Sequence, residues 1–258
     1  MQNLFIQSRE GKKIAVLVEG LEKRGSLAFV MHGLSGNKLQ PHISAFAEAF
    51  LRNGFTVVRF DTRNTYGESE GTPEDETITS DLSDLEDVIE WARKEPWFRE
   101  PFFLAGHSLG GICTGIYAEK HPERVAGLAP ISTVVNWELS TQTKKYSAPE
   151  LALWKAAGVR EAPSETSPGM IKRLAWGHVE DRMRYSLLLQ APKLTMPVLL
   201  IVGDRDEGTP PEHQKVLFDA LPGPKEMHII KGAPHTFMKA EHLEEIRQIF
   251  DTWIKKYV

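Results

Sequence analysis

Ser108 lies between glycines in Gly106-His107-Ser108-Leu109-Gly110, directly behind the apolar run 102–105. G-x-S-x-G at a strand-to-helix junction is the pattern of a sharp, strained turn that lifts a serine hydroxyl above a sheet edge. A serine hydroxyl is a weak nucleophile and needs a positioned base, itself oriented by an acid. "IIKGAPHTF" places His235 just past a β-prone run, and "LLIVGDRDEGTP" places Asp204 and Asp206 just past the preceding one. The chain order is Ser, Asp, His. Acyl transfer also needs donors for the oxyanion of a tetrahedral intermediate. The N–H of Leu109, next after the serine, is one. In "VMHGLSGNK", Gly33 lets the backbone curl so that the N–H of Leu34 faces the substrate.

These residues need a scaffold that brings distant strand ends together, and the hydrophobic pattern predicts one. "LFIQS" and "KIAVLVE" read as a hairpin turned at Gly11, and "SLAFVMHG" as a buried strand. Ile43, Phe46, Ala47, Phe50 and Leu51 share one helical face, closed by Asn53-Gly54. "FTVVRFD" is a strand, and Leu82, Leu85, Val88, Ile89 and Ala92 mark a helix with Thr79 or Ser80 as its cap. The strand "PFFLAG", a helix at 109–121 stopped before Pro122, and the strand "RVAGLAPIS" follow. "MPVLLIVGD" and "KEMHIIKG" are strands with a helix between them, and a helix carrying Leu243, Ile246, Phe250, Trp253 and Ile254 closes the chain. Alternating strands and helices, with several strands apolar on both faces, predict an α/β fold: a mainly parallel sheet covered on both sides.

More than sixty residues separate the strand near 131 from the one at Pro197. A connection that long is usually functional. Its Trp, Tyr, Lys, Ser and Pro content and short helical patterns predict a lid over 135–185, inserted between core segments 1–134 and 186–258. Trp137, Trp154 and Trp176 would either line an acyl or aryl pocket or pack the lid itself.

The net charge of −4 has no basic stripe of the kind nucleic-acid binding requires. No apolar run approaches a membrane span, and residues 1–10 lack a secretory layout, so a cytoplasmic protein without nucleic-acid or membrane partners is expected. Cys113 is the single cysteine, which excludes an intrachain disulfide and reads as a small buried hydrophobe. His32 and His42 lack metal-ligand spacing, and no phosphate-binding or dinucleotide-binding glycine loop is present, so neither a metal nor a cofactor is expected.

Together, "HGLSGNK", "DTRNTYGESEG", "GHSLGG", "GDRDEGTP" and "GAPHTF" resemble the α/β-hydrolase superfamily. The likeness is to carboxylesterases of the cinnamoyl and feruloyl esterase type and to serine-aminopeptidase-like hydrolases. It spans both flanks of the chain and leaves 135–185 unmatched. It implies Ser108 as nucleophile, Asp206 as acid, His235 as base, and Leu34 and Leu109 as oxyanion donors. Asn64-Thr65-Tyr66-Gly67 stands where such proteins commonly have Gly-His-Gly. The activity implied is hydrolysis of a small-molecule carboxylic ester. Alternatives are a thioesterase, an aminopeptidase or amidase, or a slow-turnover receptor that keeps the triad. A peptidase would be favoured if Glu138, Glu150, Glu161, Glu165, Glu180 or Asp181 formed a subsite for a substrate amine. The sequence gives no reading of oligomeric state.

Overall fold

Where apolar residues occupy both faces of a strand, a layer must cover each face, and the chain provides the two layers as helices. The computed structural model describes residues 1–22, 25–164 and 169–258. In chain order the core elements are β1 (Gln2–Gln7), β2 (Lys13–Glu19), β3 (Leu27–Met31), α1 (Pro41–Arg52), β4 (Thr56–Phe60), α2 (Ile78–Ala92), β5 (Phe102–His107), α3 (Leu109–Lys120) and β6 (Val125–Ile131). An inserted segment follows, with α4 (Trp137–Ser140), α5 (Ala148–Ala157), β7 (Val159–Pro163), β8 (Ile171–Ala175) and α6 (Gly177–Arg182). The core resumes with β9 (Val198–Gly203), α7 (Pro211–Ala220), β10 (Lys225–Ile230) and α8 (Ala240–Ile254).

Eight strands form one sheet in the order β1-β2-β4-β3-β5-β6-β9-β10. The first two pairings, β1 with β2 and β2 with β4, are antiparallel, and the rest are parallel. Alternation along each strand separates the two cores. Phe29 and Leu104 face the layer of α2 and α3, with Leu85 and Ile112. Ala28, Val30 and Phe103 face α1 and α8, with Phe46, Phe50, Phe250 and Trp253. Each of the Leu, Ile, Val and Phe side chains fully removed from water stabilises the fold by about 1.5–3 kcal/mol.

The cap of α2 differs from expectation. Thr77, not Thr79 or Ser80, is the N-cap: its hydroxyl accepts the Ser80 N–H at 3.0 Å while Ser80 Oγ accepts the Thr77 N–H at 3.1 Å. The helix starts early because Ile78 belongs to its buried face. Thr79 instead gives its N–H to Asp181 of the inserted segment at 3.0 Å.

That segment is entered and left side by side. Asn136 bridges Ser186, and the Leu187 N–H donates to the Val135 carbonyl at 2.9 Å. Besides the expected short helices it contains an antiparallel pair, β7 with β8, that the hydrophobic pattern does not reveal. Their residues are exposed or half-buried, with Leu174 alone buried, so their composition has no two-residue period. A small core of Tyr146, Trp154, Leu174 and Val179 holds the segment together, and Leu34 packs against it. No helix among the described residues is long and apolar enough to cross a membrane.

Candidate active site

The turn carrying Ser108 is possible only because its neighbours lack side chains. A Cβ on Gly106 would lie 2.2 Å from the Gly110 carbonyl oxygen, and one on Gly110 would lie 2.2 Å from that of His32. Ser108 itself has φ 54, a region that L residues seldom occupy. The strain is held from β6: the Ser108 N–H donates to the Ile131 carbonyl at 3.0 Å, and the Val134 N–H donates to the Ser108 carbonyl at 3.2 Å.

The other predicted residues converge on this turn from the C-terminal ends of β9 and β10. His235 Nε2 lies 2.9 Å from Ser108 Oγ, and His235 Nδ1 lies 2.7 Å from Asp206 Oδ2. Asp206 is buried and also accepts the N–H groups of Gly208 (2.9 Å) and Thr209 (2.8 Å) and the Thr209 hydroxyl (2.9 Å). Burial alone would raise its pKa, but the adjacent His235 and the Thr209 donors outweigh burial and lower it to about 2. An ionised Asp206 accepts a hydrogen bond from the Nδ1–H, which leaves the Nε2 lone pair facing the serine hydroxyl. This geometry can move a proton from Ser108 to His235.

Asp204 is not part of this relay. Its Oδ1 accepts the Gly232 N–H at 2.6 Å, tying the turn after β9 to the turn after β10. Leu109 follows the serine directly and Leu34 follows Gly33, and among the described residues neither backbone N–H donates to a protein acceptor. Gly33 makes the close approach possible, since a Cβ there would lie 2.9 Å from Ser108 Cβ.

Three contributors escaped the sequence reading. His107 Nε2 donates to the His235 carbonyl at 2.8 Å and steadies that loop. Thr209, three residues after Asp206, supplies two of its donors. His32 Nδ1 donates to the Gly33 carbonyl at 2.8 Å, while its Nε2 accepts the Thr62 N–H at 3.0 Å. The motif "GDRDEGT" could have revealed Thr209. The two histidines act through contacts distant in sequence or through backbone groups that no pattern marks.

Asn64-Thr65-Tyr66-Gly67 packs beside the same loop. Asn64 takes φ 59, and the Thr65 hydroxyl donates to the Gly36 carbonyl at 2.6 Å. Three of the six acidic residues considered for an amine subsite are engaged by other groups. Asp181 accepts the Thr79 N–H in the first turn of α2, Glu161 pairs with Arg173, and Glu180 accepts the Trp176 indole N–H at 3.0 Å. Glu138 and Glu150 are exposed, and Glu165 lies outside the described residues. Trp154 is buried in the small core of the segment and gives its indole N–H to the Leu174 carbonyl at 3.0 Å. Trp137 and Trp176 line a cavity of about 380 Å³ with Leu151, Lys155, Val179 and Met183. Among the described residues no group of three His, Cys, Asp or Glu side chains could hold a metal ion.

The site rests on many buried ionisable groups, with a consequence for stability. Burial lowers the pKa of His32 and His107, and lowers those of His42 and His178 to about 3. These histidines stabilise the fold fully above their unfolded pKa of about 6.5 and lose that contribution as pH falls toward the folded values. Burial raises Glu76 and Glu119 to about 8, Asp84 to about 6, and Asp81 upward. Those acids bind more protons folded than unfolded, so their contribution is full below about pH 4 and is lost as pH rises through the folded values. The thermal midpoint is therefore expected to be highest at about pH 5–6.5 and to decline between about 6.5 and 8. A scan series from acid to alkaline pH checks this; a midpoint still rising to pH 8 contradicts it.

The family described as serine aminopeptidase, S33, matches residues 23–242. The thiohydrolase AneE of Aspergillus aculeatus is 26% identical over 84% of this chain and 84% of its own. The thermostable monoacylglycerol lipase of Bacillus sp. strain H-257 is 24% identical over 74% of this chain and 75% of its own. The structure of Est1E from Butyrivibrio proteoclasticus with ferulic acid bound superposes with a TM-score of 0.82 at 22% identity, covering 98% of each chain.

Proposed function

The chain belongs to the serine aminopeptidase S33 family of α/β-hydrolases, and on that premise we propose that it cleaves carboxylic esters of small molecules by acyl transfer. The observation that carries the reading is the 2.9 Å contact of His235 Nε2 with Ser108 Oγ, backed by the buried Asp206. Ser108 Oγ attacks the ester carbonyl carbon while its proton passes to His235 Nε2. The oxyanion is held by the N–H groups of Leu34 and Leu109. The bond to the alkoxy oxygen then breaks as Nε2 returns the proton to the leaving alcohol. Water attacks the acyl carbon, gives a proton to Nε2, and the acid departs as Ser108 Oγ regains that proton. Asp206 holds Nδ1 and stabilises the imidazolium in both halves.

Residues 135–185 form the lid in this reading. Relatives named as a thiohydrolase and a monoacylglycerol lipase support acyl chemistry, and ferulic acid in Est1E supports aryl acyl groups among the substrates. The engagement of Asp181, Glu161 and Glu180 by other groups disfavours a subsite for a substrate amine.

A substrate panel tests the assignment. p-Nitrophenyl esters of increasing acyl length, a feruloyl ester, a thioester and p-nitroanilides are compared by kcat/KM. Esters are expected to turn over continuously and to exceed the anilides by at least about 10²-fold. A single stoichiometric burst, or anilides cleaved faster than esters, overturns the reading. Replacing most of 135–185 by a short loop is expected to change the acyl-length profile more than the rate of Ser108 labelling by a fluorophosphonate. An unchanged profile in a folded variant removes the lid from specificity.

A further inference from the structure

The turn that carries the Leu34 amide does not hold its shape unaided. The Gly36 N–H closes it onto the Gly33 carbonyl at 2.9 Å, and between them Ser35 adopts φ 55, a left-handed conformation that L side chains seldom take. Glu76 meets this residue from the residue before the cap of α2. Its two carboxyl oxygens lie 3.0 Å and 2.8 Å from the Ser35 nitrogen and accept its N–H, and Oε2 lies 3.3 Å from Ser35 Oγ.

Glu76 is fully buried, an expensive place for a carboxyl group. It is not needed to cap α2, because Thr77 and Ser80 already cap each other. Its main chain is fixed as well: the Glu76 carbonyl accepts the Nδ1–H of the buried His178 on α6 at 3.0 Å. Asp81 and Asp84 on α2 and Lys172 on β8 are the charged groups that act on its carboxyl. Burial, opposed by the Ser35 bonds and Lys172, raises its pKa to about 8. Ionised or protonated, a carboxyl group keeps an oxygen able to accept the Ser35 N–H, so support of the turn does not depend on its titration.

We propose that Glu76 is a positioning residue: by holding the Ser35 N–H it keeps the Gly33–Gly36 turn in the shape that aims the Leu34 N–H at the oxyanion above Ser108. The inference rests on the acyl-transfer reading. Without the acceptor, Ser35 is free to leave its left-handed conformation, and the Leu34 N–H moves away from the reacting carbonyl. Removing one oxyanion donor costs about 10²–10³ in kcat.

The test uses Glu76→Met, which fills the buried space without an acceptor, and Glu76→Gln, which keeps one. Each is measured for kcat and KM on p-nitrophenyl butyrate and for affinity toward an alkyl trifluoromethyl ketone, whose adduct with a serine carries an oxyanion. Glu76→Met is expected to lose about 10²-fold in kcat with KM changed less than about threefold, and to lose ketone affinity in proportion. Glu76→Gln is expected to recover to within about fivefold of wild type. If Glu76→Met does not fold, Glu76→Asp, shorter by one methylene, is expected to lose at least about tenfold in kcat at unchanged KM. A loss below about twofold in the folded variant, or a loss that falls on KM, overturns the role of Glu76. If wild type neither cleaves the ester nor binds the ketone, the acyl-transfer reading fails and takes this role with it. If wild type does both, a negative result removes Glu76 alone.

Discussion

Ser108→Ala is expected to lower ester turnover by about 10⁶-fold, the scale seen when the nucleophile of a serine protease is removed. Among the described residues the side chain of Ser108 hydrogen-bonds to His235 alone, at 2.9 Å, while its backbone is fixed by Ile131 and Val134. Alanine keeps that backbone and bears the same strained φ, so the thermal midpoint should move little. The loss then reports chemistry rather than unfolding. A folded variant retaining more than about 1% of the wild-type kcat would mean that the hydroxyl does not carry the acyl group.

The second large effect separates two aspartates. Asp206 receives the N–H groups of Gly208 and Thr209, the Thr209 hydroxyl and His235 Nδ1. In Asp206→Asn the amide nitrogen can turn toward His235 and donate, placing the imidazole proton on Nε2, the wrong tautomer for a base. The corresponding change in a serine protease costs about 10⁴ in kcat, and at least about 10³ is expected here. Asp204→Asn keeps an oxygen for the Gly232 N–H, its partner at 2.6 Å, and should lose tenfold or less. Both are compared by kcat at one pH, with folding followed by circular dichroism. A dead Asp204→Asn beside a normal Asp206→Asn would reverse the assignment.

Much of this arrangement could be read from local patterns. Runs apolar on both faces, such as 27–31 and 198–203, became the buried parallel strands β3 and β9. One-faced periodicity gave α1 and α8, because their apolar residues must cover the sheet. Ser108, His235 and the pair Asp204 and Asp206 could be read because each lies past a strand end and the parallel topology brings those ends to one edge; the choice of Asp206 came from the family resemblance. Features set by tertiary contact were not found. The β7–β8 pair lacks alternation because it has little buried face. The periodicity places the cap of α2 at Thr79 or Ser80, whereas Thr77 holds it and Asp181, distant in sequence, takes the Thr79 N–H. The partner of Asp204, the Gly232 N–H, lies on the neighbouring turn and is set by the pairing of β9 with β10. Glu76 carried no signal, since a buried glutamate looks in sequence like a solvated one.

The central claim is that Ser108 becomes acylated, and one measurement addresses it directly. The protein is mixed with p-nitrophenyl butyrate, quenched in acid within the first turnovers, digested and analysed by mass spectrometry. A butyryl group on the peptide containing Ser108, gained and lost at rates that account for kcat, is the expected result. Continuous ester cleavage with that peptide never modified, or the butyryl group on a different residue, would contradict the account.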